Sequence, residues 1–148
     1  MCTRFLHHLW QRVLSRLPAS PTPRHLVHGQ IGELAAKRYL RRQGLVFLTA
    51  NFSGNRGEID LIFRDRDCLA FVEVKTRSSE HWSRPASAVN RRKRRRLSLT
   101  ALDYLRQLHE PTPRFRFDIV EVLLEDGVVH KIRHLPNAFP IEHRDYLP

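Results

Sequence analysis

Cysteine is nearly absent: only Cys2 and Cys68 occur in 148 residues. That excludes a disulfide framework and makes a reducing cytoplasm the expected setting. No apolar run approaches the length of a membrane-spanning helix. There is no Walker loop, no dinucleotide-type glycine motif, no Ser or Cys nucleophile elbow and no internal repeat. Acidic residues are few, 15 against 26 Lys and Arg, giving a net charge of +11. Such a surplus points to a polyanionic partner, most simply nucleic acid, with an acidic membrane surface second. Histidines are more plentiful, at nine. His130 and His134 fall on one face of a strand-like run, but no cysteine or third ligand stands near them, so no zinc site is expected.

No acidic residue occurs between Met1 and Gln30. Phe5, Leu6, Leu9, Trp10, Val13, Leu14 and Leu17 recur at helical spacing, with Arg4, Arg12 and Arg16 between them. His7, His8, Gln11 and Arg12 break the apolar run, which argues against a signal peptide. A basic amphipathic helix for a membrane or partner is one reading. A non-essential extension over 1–24 is the favoured one, joined through a linker containing Pro18, Pro21 and Pro23 to a single domain over 25–148. Membrane contact through this segment is not expected.

The spacing predicts a helix from His25 to Arg42, ended by Gly44, with Ile31, Leu34, Ala35 and Tyr39 facing inward. Glu33 falls at the border of that face, and spacing alone favours a capping or ion-paired role for it. Leu45 to Ala50 reads as a strand, Asn51 to Arg56 as a loop, and Ile59–Phe63 with Leu69–Val74 as a hairpin. The polar stretch Ser78 to Ser87, with Trp82, follows. A helix is predicted from Ala86 to Leu108, with Val89, Leu97, Ala101, Tyr104 and Leu108 inward and Lys93 in line with them. It contains Arg91, Arg92, Lys93, Arg94, Arg95 and Arg96 in succession. The lysine stem would be buried and its ammonium would snorkel toward the hairpin. The five arginines would face solvent and suit phosphates, although a merely solvated basic face has the same pattern. Phe115 to Leu123 and Val128 to Leu135 are further strands, with a turn at Glu125-Asp126-Gly127 and an irregular tail from Pro136. Asp118, between Phe117 and Ile119, reads as structural.

The informative stretch is the hairpin, Gly57-Glu58-Ile59-Asp60-Leu61-Ile62 and Phe71-Val72-Glu73-Val74-Lys75-Thr76-Arg77. Strands avoid Asp, Glu and Lys, and a buried charge without a partner is costly. With Arg66 and Asp67 as the loop, Asp65 faces Cys68, Asp60 faces Glu73 and Glu58 faces Lys75. Opposed residues have Cβ atoms about 5 Å apart, where two carboxylates repel unless a cation lies between them. Hard oxygen ligands suit Mg²⁺ or Mn²⁺, and Lys75 beside them could orient a water and stabilise developing negative charge. These parts fit phosphodiester hydrolysis. An ordinary salt-bridged hairpin accounts for the same residue types.

The order helix, three strands, helix, two strands, with an acid on the second strand and Glu-x-Lys on the third, resembles the P-D-(D/E)-x-K nuclease superfamily. More closely, the chain resembles the YraN-like family of bacterial proteins, grouped with Holliday junction resolvase-like endonucleases. The resemblance covers about Gly29 to Phe139. It rests on Gly29-Gln30-Ile31-Gly32-Glu33, the two hairpin motifs, Ala88-Val89 with Lys93 and Leu97, Arg116-Phe117-Asp118 and Asn137-Ala138-Phe139. It implies a restriction-endonuclease-like α/β fold with a mixed central β-sheet flanked by helices, in the order αβββαββ. It also implies metal ligation by Asp60 and Glu73, a catalytic Lys75, a site role for Glu33, and auxiliary roles for Glu58 and Lys93. Nucleic-acid contacts would fall to Arg77, Arg91, Arg92, Arg94, Arg95 and Arg96. The implied activity is Mg²⁺- or Mn²⁺-dependent cleavage of DNA, in branched or damaged structures. A homodimer would suit such cleavage, since two symmetric strands must be cut. The rival expectation is a nucleic-acid-binding protein that keeps this fold without catalysis. One departure is that Trp82 is followed by Ser83 where the family tends to have an aromatic-Gly pair.

Overall fold

A computed structural model describes residues 24–78, 89–108 and 113–142. The expectations for the N-terminal segment, for Trp82 and for Ala86 to Ala88 lie outside these residues. Seven elements follow in the order αβββαββ: α1 (Arg24–Arg42), β1 (Val46–Gly54), β2 (Gly57–Asp65), β3 (Cys68–Arg77), α2 (Arg91–Arg106), β4 (Arg114–Glu125) and β5 (Val128–Phe139). The strands form one sheet in chain order, β1-β2-β3-β4-β5. All neighbours are antiparallel except β3 and β4, which run parallel and are connected through α2. This is the mixed sheet expected of a restriction-endonuclease-like fold.

Alternation along the strands divides the core in two. On one face, Ile59, Phe71, Phe117 and Ile119 pack against Leu97 and Ala101 of α2. On the other, Leu61, Val72, Val120 and Val122 pack against Ala36 and Leu40 of α1. The sheet is covered on both sides, so β3 and β4 read as nearly continuous apolar runs. Charged residues inside those runs are therefore placed against the grain of the sequence.

Several boundaries differ from the sequence expectation. β1 continues through Asn51 to Gly54, and the loop to β2 shrinks to Asn55 and Arg56. The Asn55 amide donates to Asp103 of α2 at 3.0 Å and Arg96 Nε donates to the Arg56 carbonyl at 3.0 Å, so the basic helix pins this turn. β5 runs past Pro136 to Phe139, whose ring stacks on Phe117 at 4.9 Å. An edge strand tolerates the proline because one side of it has no ladder to lose. α2 starts at Arg91, where Asn90 caps it by accepting from the Lys93 amide at 2.9 Å. The β4–β5 turn uses Asp126 and Gly127, both at positive φ, as an Asp-Gly hairpin requires.

Of the residues expected inward on α1, Ile31, Ala35 and Tyr39 pack against the core partly buried, and Leu34 does not. Leu34 is 49% exposed, whereas Gly32, Ala36 and Leu40 are buried. Gly32 lies directly on β3: a Cβ there would stand 2.0 Å from Thr76 Oγ1. The glycine lets the helix backbone touch the strand, and the side chain next to it is Glu33.

Candidate active site and family membership

The site forms where β2 begins and β3 ends. The hairpin turn at Arg66-Asp67 gives the expected register for Asp65 with Cys68 through Leu61 with Val72. There the regular pairing stops. Asp60 does not stand as a ladder partner of Glu73, nor Glu58 of Lys75, because the Asp60 carboxylate takes a backbone donor itself. Its Oδ2 accepts from the Val74 amide at 2.6 Å. The β1–β2 pairing also steps over this position, passing from Ala50–Leu61 to Phe52–Ile59. Asn51, in the left-handed region at φ 52, occupies the gap on β1 and hydrogen-bonds Glu33 through its side chain. One aspartate thus interrupts the ladder on both sides of β2.

Glu73 is only 3% exposed. Its Oε1 receives two ammonium groups, Lys75 Nζ at 2.8 Å and Lys93 Nζ at 3.1 Å. Its Oε2 is buried and has no hydrogen-bond partner. Lys93 therefore reaches the hairpin from α2 as its position in the helix predicted. Burial holds the Asp60 carboxyl well above the ordinary range, at about 7, with the Glu73 charge adding to the rise. The Val74 amide and Lys93 oppose that rise without cancelling it. Burial also raises Glu33, followed by the charge of Glu58, while Asn51 lowers it. Glu33 of α1 thus falls within electrostatic reach of Glu58, Asp60 and Glu73, and Asp60 within reach of Glu73. Glu58 is the exposed member.

Among the described residues, no three His, Cys, Asp or Glu side chains converge as a preformed metal cage. Mg²⁺ does not need one, since it typically takes one or two carboxylates and fills its remaining positions with water and substrate phosphate. Asp60, and the unpartnered buried Oε2 of Glu73, fit that requirement. The alternative of an ordinary ion-paired hairpin fits less well, because Asp60 has a protonation-favouring environment and Glu73 has one oxygen without a donor.

The basic residues separate into two kinds. Arg92 and Arg95 are exposed, and Arg91 is exposed with a 3.5 Å contact to Glu142. Arg94 does not face solvent as expected: it donates to the Val89 carbonyl at 2.9 Å, lies near Glu142, and covers the Phe139 ring. Arg96 is occupied at the β1–β2 turn, with its body still exposed. Arg77 extends from the end of β3 to Glu121, at 3.3 Å. His130 and His134 each face a carboxylate, Glu125 at 3.4 Å and Asp118 at 2.9 Å.

Sequence reasoning passed over Glu121 and Arg133. Glu121 is fully buried in β4, between Arg77 and Arg133. The available signal was an acid inside the run Ile119-Val120-Glu121-Val122-Leu123-Leu124. Asn51 was also missed, since a loop was expected where β1 continues.

Comparison with known proteins places the chain in one family. The family model described as "Uncharacterised protein family UPF0102" matches residues 32–122, a span that includes Glu33, the hairpin and α2. A "UPF0102 protein" of Trichlorobacter lovleyi is 44% identical over 118 residues, covering 78% of this chain and 91% of the relative. One of Solibacter usitatus is 47% identical over 114 residues, covering 76% and 85%. One of Rhodococcus opacus is 39% identical over 115 residues, covering 78% and 98%. The chain belongs to the UPF0102 (YraN) family, within the restriction-endonuclease-like superfamily.

Proposed function

We propose that this chain is a divalent-metal-dependent endonuclease that hydrolyses phosphodiester bonds in DNA, with branched or damaged DNA as its substrate class. The observation that carries this reading is the division of labour on Glu73. One oxygen holds two lysines, the other is buried and unpartnered, and burial together with the Glu73 charge pushes the neighbouring Asp60 carboxyl up to about 7. That arrangement is poor as a structural ion pair and reasonable as a cation site.

Asp60 and Glu73 would hold Mg²⁺ or Mn²⁺, with Glu33 assisting from α1 and Glu58 at the mouth. A metal bound there supplies Lewis-acid charge for a phosphoryl oxygen and for the attacking water. Lys75 contributes an ammonium, fixed on Glu73, that can stabilise negative charge developing on the phosphate. Lys93 supplies a second positive charge from α2, held 3.1 Å from Glu73 Oε1. Arg77 and the exposed arginines of α2 offer contacts to the phosphate backbone, which would set affinity without reading sequence. A homodimer would allow paired cuts in a symmetric junction.

The test is cleavage of labelled single-stranded, duplex, flap and four-way-junction DNA with Mg²⁺ or Mn²⁺, using EDTA and Glu73→Ala as controls. Metal-dependent cleavage lost in the variant is the expected result. Tight binding with no cleavage of any substrate would instead favour a non-catalytic nucleic-acid-binding protein, a reading that the exposed Arg91, Arg92 and Arg95 also support.

A further inference from the structure

Glu121 has no part in the carboxylate site, yet it is a fully buried charge on the same face of the sheet. Lys75, Glu121 and Arg133 are register partners across β3, β4 and β5. They therefore form one row on the face that also carries α2. Oε1 of Glu121 accepts from Arg77 Nη2 at 3.3 Å; Oε2 accepts from Arg133 Nε at 2.7 Å and also from its Nη2. The two guanidinium groups outnumber the carboxylate, so the cluster carries net positive charge.

A buried ion cluster is a weak source of stability, and an apolar side chain of similar size would often serve the core as well. What the cluster provides is geometry. The Arg77 and Arg133 side chains remain 27% and 32% exposed, and both are held by one fixed anchor. Arg77 binds Glu121 through Nη2 alone, and its Nε is buried without a partner, so the guanidinium is only partly satisfied by the anchor. Adjacent strands lie about 4.8 Å apart, which puts Arg133 about 10 Å from Lys75 across the sheet. Nucleic acid rises about 3.4 Å per nucleotide along a strand. The row thus spans about three nucleotides, beginning at the lysine of the carboxylate site.

We infer that Arg77 and Arg133, held by Glu121, form a phosphate-binding cradle that lays a nucleic-acid strand across Lys75. Arg133 is a direct backbone contact and Glu121 a positioning residue. This inference rests on the proposed nucleic-acid substrate and extends it to β5, the far edge of the sheet.

The test is binding of the full-length chain to a fluorescent four-way junction and a duplex in EDTA, over a series of NaCl concentrations. Each lost phosphate contact should weaken binding about tenfold and flatten the salt slope by about 0.9. Arg133→Ala and Arg77→Ala are expected to do so. Each leaves the other arginine on Glu121, so neither strands a bare buried charge. Arg114→Ala is the matched control. It removes the same charge at the other end of the sheet, where Arg114 pairs with Asp67, about 30 Å along the strand from Arg77. Glu121→Gln is the sharpest variant: it makes the protein more positive, so unspecific attraction predicts tighter binding, whereas loss of the anchor predicts weaker binding. Arg133→Ala behaving like Arg114→Ala, or Glu121→Gln binding more tightly, would overturn the cradle and leave the nuclease reading standing. Absence of binding by the unsubstituted chain would overturn both.

Discussion

Two aspartates sit within this sheet, one fully and one partly buried, and their surroundings are opposite. Asp118 on β4 is fully buried and fully served. It accepts from Arg116 Nε at 3.0 and 3.2 Å, meets His134 at 2.9 Å and takes the Asn137 amide at 2.9 Å. Burial alone would raise its pKa, but His134, Arg116 and Asn137 outweigh that and hold it below the ordinary value. Asp60 on β2 has a single backbone donor, acidic neighbours, and a pKa raised to about 7. Burial of a carboxylate therefore does not itself indicate function. The distinguishing feature is whether the fold satisfies the charge or leaves it for something else to satisfy.

The largest expected effect comes from breaking the satisfied partner. Asp118→Ala leaves Arg116 and His134 without their shared acceptor and should cost about 4 kcal/mol in urea unfolding. A cost below about 1 kcal/mol would mean that Asp65, which also holds Arg116 at 2.9 Å, carries the cluster alone.

Lys75→Ala should reduce metal-dependent cleavage at least about 100-fold, near 3 kcal/mol of barrier, with little change in melting temperature. Undiminished cleavage would reduce Lys75 to a counter-ion of Glu73. Asp60→Asn probes the unsatisfied member. Because its folded pKa is raised, Asp60 contributes stability that is present below its unfolded pKa of about 3.9 and lost as pH rises through about 7. Removing the charge should therefore stabilise the metal-free protein by about 2 kcal/mol at pH 8 and by almost nothing at pH 4. Asp118 has the opposite sign. Its depressed pKa gives stability present above about pH 3.9 and lost on further acidification. Unfolding free energies measured from pH 3 to 8 on the single variants would separate the two slopes.

The smallest effect is the metal's own. At tenfold excess over its dissociation constant, Mg²⁺ or Mn²⁺ should stabilise the unsubstituted chain by about 1.4 kcal/mol. Asp60→Asn should lose that increment. Equal stabilisation of both proteins would place the ion elsewhere.

Much of the contrast was legible in the sequence. Asp60 and Glu73 stand out because apolar strands rarely carry acids, and a supposed two-residue loop at Arg66-Asp67 gives the upper register that the structure has, although the turn lacks the Asn-Gly or Asp-Gly signal that would fix it. Lys93 was legible because helical spacing put it in line with Leu97 and Ala101. The rest depended on tertiary contacts. Asp60's capture of the Val74 amide cannot be read from alternation, which assumes an unbroken ladder. Gly32 carries no hydrophobic signal, and spacing puts Leu34 inward with Ile31, Ala35 and Tyr39, although only the last three pack on the core. Arg94 and Arg96 look identical to Arg92 and Arg95 in a basic run, and only packing against Val89, Phe139 and Arg56 separates them. Glu121 needed its partner on β5, 12 residues away in sequence, to become meaningful.

The contact between Gly32 and Thr76 gives the site an adjustable spacing. A single hydrogen atom on α1 sets how near the helix lies to β3, and the next residue carries a carboxyl group. Alanine at 32 would act as a wedge against the Thr76 side chain: unless that side chain turns away, the helix lifts or slides and Glu33 withdraws from Asn51 and Asp60 while every charged group remains in the chain. The distance between the two halves of the site is thus governed by a position that has no chemistry of its own.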